Sequence, residues 1–393
     1  MLTWIGLAMT LVILAYELTA LAKNLGWLQV TDFMSFWTAG RLNATGLNPY
    51  DNDQLLRLQK EIGWDERSAM TWWNPPWALL LYMPFGLLSY SLARALWLIV
   101  NLAIVFFCAE WLWRFYGGPP RYRWLALLIS LFFFPTIFVL SIGQNVPFIL
   151  LGIVGFLHSI KNQKPYLAGV CAVLVAIKPH LFLPFWMALI FWVIDRRCWS
   201  VLLGMGLAGL AATAILLGVN PAVISQYIYV IPTGSNYLAN FSTPTFGTVL
   251  RMLLGFDKSW LQFIPLGLGA IWFLLHWTKH RRTWEWGEQM PLLLLVSLVT
   301  AFYTWSYDQM VLLVAVMQVA VLTFRHNRGR TLFWTIIPYL IFNSLPFILQ
   351  IPADFSRIWM APSFLVWYWL VREHVGQQQF QALSGKDNLR NLQ

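Results

Sequence analysis

The sequence predicts an all-α integral membrane protein with about twelve transmembrane helices. Its composition is the first reason: hydrophobic residues make up 59% of the 393 residues, charged residues make up 11%, and the mean hydropathy is +0.61. Ordinary soluble domains carry roughly 25% charged residues, so this chain has too little polar surface to face water on all sides. The composition excludes a soluble enzyme, intrinsic disorder and a nucleic-acid binder, and it makes lipid the solvent.

Apolar runs long enough for membrane helices are the second reason. The run 76–113 is too long for one simple crossing, so we predict a re-entrant or interfacial segment up to Leu88, followed by one long helix from about Ser91 to Trp113. The other predicted spans are 2–22, 123–140, 146–160, 165–177, 180–194, 199–218, 260–278, 289–305, 309–324, 331–350 and 357–371.

The distribution of Lys and Arg between these runs predicts the orientation. With one crossing in 76–113, one set of alternate loops, together with the tail 372–393, holds 16 Lys and Arg against 5 Asp and Glu. The other set holds 9 against 9. Cytoplasmic loops carry the basic excess, so we predict that both termini lie in the cytoplasm. The predicted location is a cell membrane, with a bacterial inner membrane as the favoured case. The net charge of +10 then needs no nucleic-acid partner.

Two outer loops are long enough to hold structure of their own. In the first, 23–75, Asp32 can cap an amphipathic helix lying in the membrane interface, and Asp51 can cap a second short helix. The second, 219–258, is predicted to be less regular. No composition shift marks a soluble domain, so residues 1–393 are predicted to form a single transmembrane domain.

Polar side chains that can carry chemistry lie at the outer ends of the predicted spans. Scattered loop residues would fall on both sides of the membrane, so this distribution predicts a site at the outer face. The candidates are Asp32, Gln144, Asn145, Lys178, His180, Arg251, Tyr307 and Asp308.

Asp32 has two competing roles. It is either the N-cap of the first interfacial helix or a general base that takes the proton from a sugar hydroxyl. The roles compete because a capping carboxylate has already used an oxygen lone pair. Lys178 and His180 flank a proline that breaks an apolar run, and their side chains suit a phosphate leaving group. The alternative for Lys178 is snorkelling to lipid headgroups.

Each of the remaining candidates can also have a purely structural role, and both interpretations stay open. Gln144 and Asn145 can bind a substrate or cap the next helix, and the second is the commoner use. Asp308 can be a second acid, a partner for Lys178 or a helix-start carboxylate, and the last ranks first. Arg251 can reach a phosphate, although a solvated loop arginine is commoner.

Several motifs that would indicate a cofactor do not occur in the sequence. It has no phosphate-binding P-loop, no Gly-rich dinucleotide turn and no His- or Cys-rich metal set. We therefore predict no cofactor and no metal, and expect any enzyme activity to use a lipid-borne or outer-side substrate.

Five stretches, taken in order and spacing, resemble glycosyltransferase family 87 of the GT-C superfamily. They are DFMSFWTAG at 32–40, GLNPYD at 46–51, NPPWALLLYMP at 74–84, GQN at 143–145 and KPH at 178–180.

The resemblance covers roughly residues 30–330 and implies a GT-C-type helical bundle. It implies a polyprenyl-phosphate sugar donor, typically mannose, a lipid or glycan acceptor, and inversion at the outer face. It also implies that Asp32 is the essential carboxylate and that Lys178 belongs to the family's Lys-Pro corner, where His180 replaces the Gln often found. The chemistry agrees, because a phosphate leaving group needs cations or dipoles, and a single displacement needs one base on the opposite face.

Three other kinds of protein stay open at this point. A transporter or flippase would show matched halves and charges near the membrane midplane, and the spans show neither pattern. Another lipid-linked-oligosaccharide ligase would favour a large late outer loop, whereas here the first loop is the richer one. A non-catalytic assembly partner would not depend on Asp32.

Overall fold

The computed structural model describes residues 32–230, 242–326, 329–349 and 354–373, and these contain helices and loops but no strand. The predicted span 2–22 and the tail 374–393 lie outside the described residues. The helices are α1 Phe33–Ala44, α2 Asn52–Glu61, α3 Leu79–Gly86, α4 Tyr90–Phe115, α5 Arg123–Leu131, α6 Phe134–Ile142, α7 Val146–Lys161, α8 Pro165–Val175, α9 Leu183–Arg196, α10 Ser200–Val219, α11 223–230, α12 Phe246–Leu254, α13 Phe263–His280, α14 Trp286–Thr300, α15 Leu313–His326, α16 Gly329–Leu349 and α17 360–373. Short 3-10 helices cover Pro76–Ala78, Pro120–Tyr122, Pro179–Leu181, Ser259–Gln262, Arg281–Thr283, Ser306–Leu312 and Asp354–Arg357.

Each apolar run from residue 76 onward contains helix. The run 76–113 holds the short α3 and then the long α4, which confirms the predicted division. The run 123–140 is not one helix, because α5 and α6 meet at a bend of 60°. Pro135 stands at the start of α6, where its ring and its missing N–H prevent α5 from continuing.

Four helical segments are long and apolar enough to cross a membrane, or five if the bent pair counts as one span. They are Tyr90–Phe115, Ser200–Val219, Ser259–Thr283 and Ser306–Arg325. Other apolar helices, such as α7 and α8, are shorter than the roughly 20 residues that a membrane core requires. The described residues thus form an all-helical membrane protein, and the predicted number of twelve crossings is not confirmed by helix length.

Helix α10 has the surface of a lipid-facing segment. Its Leu203, Leu207 and Leu210 are 52%, 56% and 69% exposed. Such a row of leucines on one helix is stable against lipid tails and unfavourable against water. The span Ser306–Arg325 differs, since 83% of its apolar 18-residue stretch is buried inside the protein.

The chain divides into two compact units. The first comprises Met1–Ile104, Phe138–Asn145 and Gly206–Tyr237, and the second comprises Val105–Ile137, Val146–Met205 and Leu238–Gln393. The core of the first unit is aromatic: the rings of Phe36 and Tyr82 lie 4.9 Å apart, and those of Phe33 and Trp97 lie 5.3 Å apart.

Helix α1 forms where we predicted it, but its environment differs from the prediction. Residues 33–40 are all buried, and Arg41 is the exposed position in this part of the helix. The helix is therefore a core element of the first unit and is not amphipathic, and its interfacial position stays a prediction. Gly40 permits this packing, because a Cβ atom there would lie 2.6 Å from the backbone oxygen of Tyr82 in α3.

Helix α2 has the predicted amphipathic form. The Asp51 carboxylate accepts hydrogen bonds from the backbone N–H groups of Asp53 and Gln54, which confirms it as the N-cap. Leu55 and Gln59 are buried on one face. Gln59 also binds Met70 through its side-chain amide, which ties the following loop to the helix.

Close backbone contacts organise part of the second unit. A Cβ atom at Gly155 of α7 would lie 2.7 Å from the sulfur of Cys171 in α8, and one at Gly169 would clash with the backbone oxygen of Val201. Small residues at these points allow the helices to approach closely, as is common in membranes.

The segment 219–258 is more regular than we predicted. It contains α11 and α12, and Thr245 caps α12 by accepting from the backbone N–H of Thr248. Residues 231–241 within it are outside the described part of the chain.

The contact between α1 and α3 can be tested by adding one methyl group. Gly40→Ala should lower the free energy of unfolding by about 1–3 kcal/mol, because backbone must move to admit the Cβ atom. Gly209→Ala in α10 is the control, since nothing lies within 4 Å of its Cβ position. Thermal unfolding in detergent measures both, and equal midpoints would contradict this account of the packing.

Candidate active site

The first unit joins two of the sequence-predicted residues. Gln144 donates a hydrogen bond from Nε2 to Oδ2 of Asp32, at 2.6 Å. Asp32 is half-buried at the start of α1, and Gln144 is 5% exposed in the turn between α6 and α7. A carboxylate that accepts a hydrogen bond from an amide is stabilised in its ionised form.

Asp32 does not cap α1 with its side chain. Its own backbone is helical, with φ −56° and ψ −25°, and capping requires an extended residue. Ser35 completes the helix start by donating from N and Oγ to the backbone oxygen of Asp32, at 3.1 and 2.8 Å. The capping interpretation of Asp32 is therefore wrong, and the carboxylate instead contacts Gln144.

Asn145 has a separate role in the same turn. Its Nδ2 donates to the hydroxyl of Tyr82 at 2.7 Å, and both side chains are fully buried. Asn145 thus anchors the turn after α6 to α3 through side chains. Gly143 begins the turn with φ +75°, a conformation that favours glycine.

The second unit joins Lys178 and Asp308. Lys178 precedes Pro179, and the residue before a proline is disfavoured in helix, so the chain breaks there. The Lys178 ammonium lies 2.7 Å from Oδ1 of Asp308, and their side chains are 10% and 2% exposed. It also lies 4.6 Å from the ring centroid of Tyr307. Lys178 is therefore paired inside the protein rather than extended to lipid headgroups.

Asp308 combines two of the roles considered for it. Its Oδ1 accepts from Lys178, and its Oδ2 accepts from the backbone N–H of Trp305 at 2.9 Å, as a helix-start carboxylate does. Both oxygens are engaged, which makes Asp308 a poor second acid.

His180 lies in the turn between α8 and α9, with its ring 5.8 Å from that of Phe302 and 6.0 Å from that of Tyr303. The ring nitrogens of His180 can donate or accept a hydrogen bond beside Lys178.

Arg251 is not a solvated loop residue. It lies in α12, is 1% exposed, and donates from Nε and Nη2 to the backbone oxygen of Phe256, at 2.9 and 2.6 Å. Its guanidinium carbon lies 4.1 Å from the centroid of the Phe256 ring. These contacts hold the end of α12, and a phosphate would have to compete with them.

The described residues offer no metal cluster beside these groups. Within the described ranges, no set of three or more His, Cys, Asp or Glu side chains is placed to hold a metal ion. A groove of about 560 Å³ between α16 and α17 is lined by residues such as Trp334, Phe342 and Trp367, without a charged side chain. It offers no group for acid–base chemistry.

Comparison with known protein families decides the class of protein. The model of glycosyltransferase family 87 matches residues 72–299, which is more than half of the chain.

The chain belongs to glycosyltransferase family 87.

Comparisons with curated proteins and with solved structures give no match.

Family 87 membership confirms the resemblance found in the sequence and makes the protein a membrane glycosyltransferase, an enzyme with a sugar donor and an acceptor. Asp32, Tyr307 and Asp308 fall outside the matched region. The candidates inside it are Gln144, Asn145, Lys178, His180 and Arg251.

Sequence reasoning missed Arg94 in this glycosyltransferase. It lies in α4, is 2% exposed, and donates from Nη2 to the backbone oxygens of Leu140 and Ser141. The signal was present, because Arg94 is a basic residue inside a predicted apolar span, and such residues usually have a specific role.

The Lys178–Asp308 pair can be tested by removing one charge and then both. Lys178→Met should destabilise the protein by roughly 3–5 kcal/mol, because it leaves a buried carboxylate unpaired. Adding Asp308→Asn should recover much of this loss, since the amide keeps an acceptor for Trp305. Unfolding in detergent measures both variants. A double variant as unstable as the single one would contradict the pairing.

Proposed function

We propose that this family 87 enzyme transfers a hexose, mannose in the first instance, from a polyprenyl-phosphate donor to a lipid or glycan acceptor. The transfer takes place at the outer face of the cell membrane and inverts the anomeric carbon. Family membership supports the reaction class. A polyprenyl phosphate keeps its chain in lipid and its sugar at the headgroup level, where an enzyme of this hydropathy can meet it.

Asp32 is the proposed general base. The observation that carries the proposal is its hydrogen bond with Gln144, together with the lack of a side-chain cap bond to α1. A carboxylate used as a cap would have an oxygen committed to backbone N–H groups. A carboxylate that accepts a hydrogen bond from an amide is stabilised as the anion, which is the form that a base needs.

The proposed step is a single displacement. The acceptor hydroxyl oxygen attacks the anomeric carbon, the bond from that carbon to the phosphate oxygen breaks, and Asp32 takes the hydroxyl proton. The leaving phosphate keeps the electron pair of the broken bond. It is a good leaving group when its charge is stabilised, so the step needs no strong general acid.

Lys178 is the proposed partner of the donor phosphate, with His180 as a further hydrogen-bonding group. The ammonium is already compensated by Asp308, so a phosphate at this position would share or displace that interaction. Further proposed substrate contacts lie beside the two clusters, and they are Gln144, Asn145, Tyr307 and Asp308. Arg251 is proposed as an alternative phosphate ligand because its guanidinium can bind a phosphate. We propose no metal, because one phosphate can be stabilised by a cation and hydrogen-bond donors.

The proposed topology has twelve crossings within a single functional domain, with both termini in the cytoplasm. Its support is the count of 16 Lys and Arg against 5 acidic residues on one side, and 9 against 9 on the other. The short apolar helices would then pair or tilt within the bundle rather than each span the full core.

The base assignment is tested with isosteric substitutions at two aspartates. Asp32→Asn should lower sugar transfer by about 100-fold or more, since general-base catalysis contributes on that scale. Asp51→Asn is the matched control, because Asn also caps helices well and the Asp51 carboxylate accepts hydrogen bonds from groups at the start of α2. Transfer from polyprenyl-phosphate mannose to endogenous lipids in membranes is the measurement. Wild-type activity in Asp32→Asn would remove the base assignment.

The phosphate assignment needs a variant that folds. Lys178→Met combined with Asp308→Asn removes both charges, and we expect the KM for the donor to rise about tenfold, the typical effect of losing one charge-assisted hydrogen bond. Arg251→Gln is the comparison. An unchanged donor KM in the double variant, with a raised KM in Arg251→Gln, would move the phosphate to α12.

A further inference from the structure

Two side chains of α4 hold the backbone that carries Gln144. Arg94 donates from Nη2 to the carbonyl oxygens of Leu140 and Ser141, at 3.0 and 2.7 Å. Trp97 donates from Nε1 to the carbonyl oxygen of Gly143, at 2.8 Å. The two donors are three residues apart and therefore share one face of α4. Three backbone oxygens within four consecutive residues are fixed by this face.

The turn at Gly143 also packs against Phe33, the residue that follows Asp32. A Cβ atom at Gly143 would lie 2.7 Å from Cβ of Phe33 and 3.2 Å from the guanidinium carbon of Arg94. The Phe33 ring in turn lies 5.3 Å from the ring of Trp97 and 5.9 Å from the guanidinium of Arg94. The start of α1, the turn and α4 therefore meet at one place in the first unit.

The buried guanidinium of Arg94 lies at the end of α6, where a positive charge has a specific use. Arg94 is 2% exposed, and an apolar side chain of similar volume would fill the space without the cost of desolvating a guanidinium. The last carbonyl groups of α6 carry the negative end of the helix dipole and favour a cation there. A cation thus fixes the end of α6 more firmly than an apolar contact, and Gln144 follows two residues later.

We infer that Arg94 and Trp97 are positioning residues for the Asp32 carboxylate and that they act through Gln144. The inference rests on the proposed function, in which Asp32 is the base. The α4 face holds the Gly143 turn, the turn aims the Gln144 amide, and the amide orients the carboxylate. Catalysis is sensitive to errors of about 1 Å in such placements, so loosening the turn lowers kcat.

Trp97→Phe is the sharpest test, because it removes the N–H donor and keeps an aromatic ring. We expect kcat to fall about tenfold, as for one lost buried hydrogen bond, while the KM for polyprenyl-phosphate mannose stays within about twofold. Trp113→Phe is the matched control. Trp113 lies on the same helix, is equally buried, and donates to the carbonyl oxygen of Pro119 at 3.1 Å. Its kcat should stay within about twofold of wild type.

A double-mutant cycle separates positioning from a general loss of structure. In a Gln144→Ala background, Trp97→Phe should change kcat by less than about twofold, because the residue through which it acts is gone. Arg94→Lys, which keeps the charge but not the fork of donors, should show the same dependence on Gln144. Thermal midpoints in detergent are measured for every variant.

Equal losses of kcat from Trp97→Phe with and without Gln144 would overturn the inference, as would an equal loss in Trp113→Phe. Should Trp97→Phe fail to fold, the Arg94→Lys cycle decides by the same criterion. Failure of the proposed function looks different, because Asp32→Asn would then retain activity. If Asp32→Asn is inactive and the effects of Trp97→Phe and Gln144→Ala on kcat are additive, only the positioning role is rejected and the proposed function stands.

Discussion

The hydrogen bond between Gln144 and Asp32 joins two positions that are 112 residues apart in sequence, and the proposed chemistry depends on it. Helix α1 brings Asp32 to this place because it packs on α3 at Gly40. The turn after α6 brings Gln144 because Arg94 and Trp97 hold its carbonyl oxygens. Loss of either support would separate the carboxylate from the amide that orients it, so fold and proposed chemistry depend on the same contacts.

Burial away from water explains why the other polar side chains are paired with groups of the protein. A buried charge or amide must find its partner within the protein, since an unpaired one costs several kcal/mol. Lys178 pairs with Asp308, and Arg251 binds a backbone oxygen. The candidate phosphate ligands therefore already have hydrogen-bond or ion-pair partners within the protein before the donor binds. Selectivity for a phosphorylated sugar would follow, because only a strong acceptor competes with these partners.

The sequence predicted the positions of the helices well, because each needs an apolar run whose length and breaks are local properties. Asp51 as a cap was also local, and it is confirmed. The burial of α1 was missed, since its aromatic spacing fits an interface as well as a core. The partner of Asp32 could not be found, because Gln144 is distant in sequence and nothing local links the two. Arg94 was overlooked although its place in an apolar span marked it for attention.

The stereochemistry of the transferred sugar tests the central claim most directly. A single displacement with Asp32 as base places the acceptor on the face opposite the leaving phosphate. Purified enzyme would be given polyprenyl-phosphate mannose of known anomeric configuration and a lipid acceptor, and the new linkage would be assigned by NMR. With Asp32 as the base of a single displacement, we expect the product to have the anomeric configuration opposite to that of the donor. A product with the donor's configuration would contradict it, because retention by a double displacement requires a nucleophile that Asp32 as base does not supply.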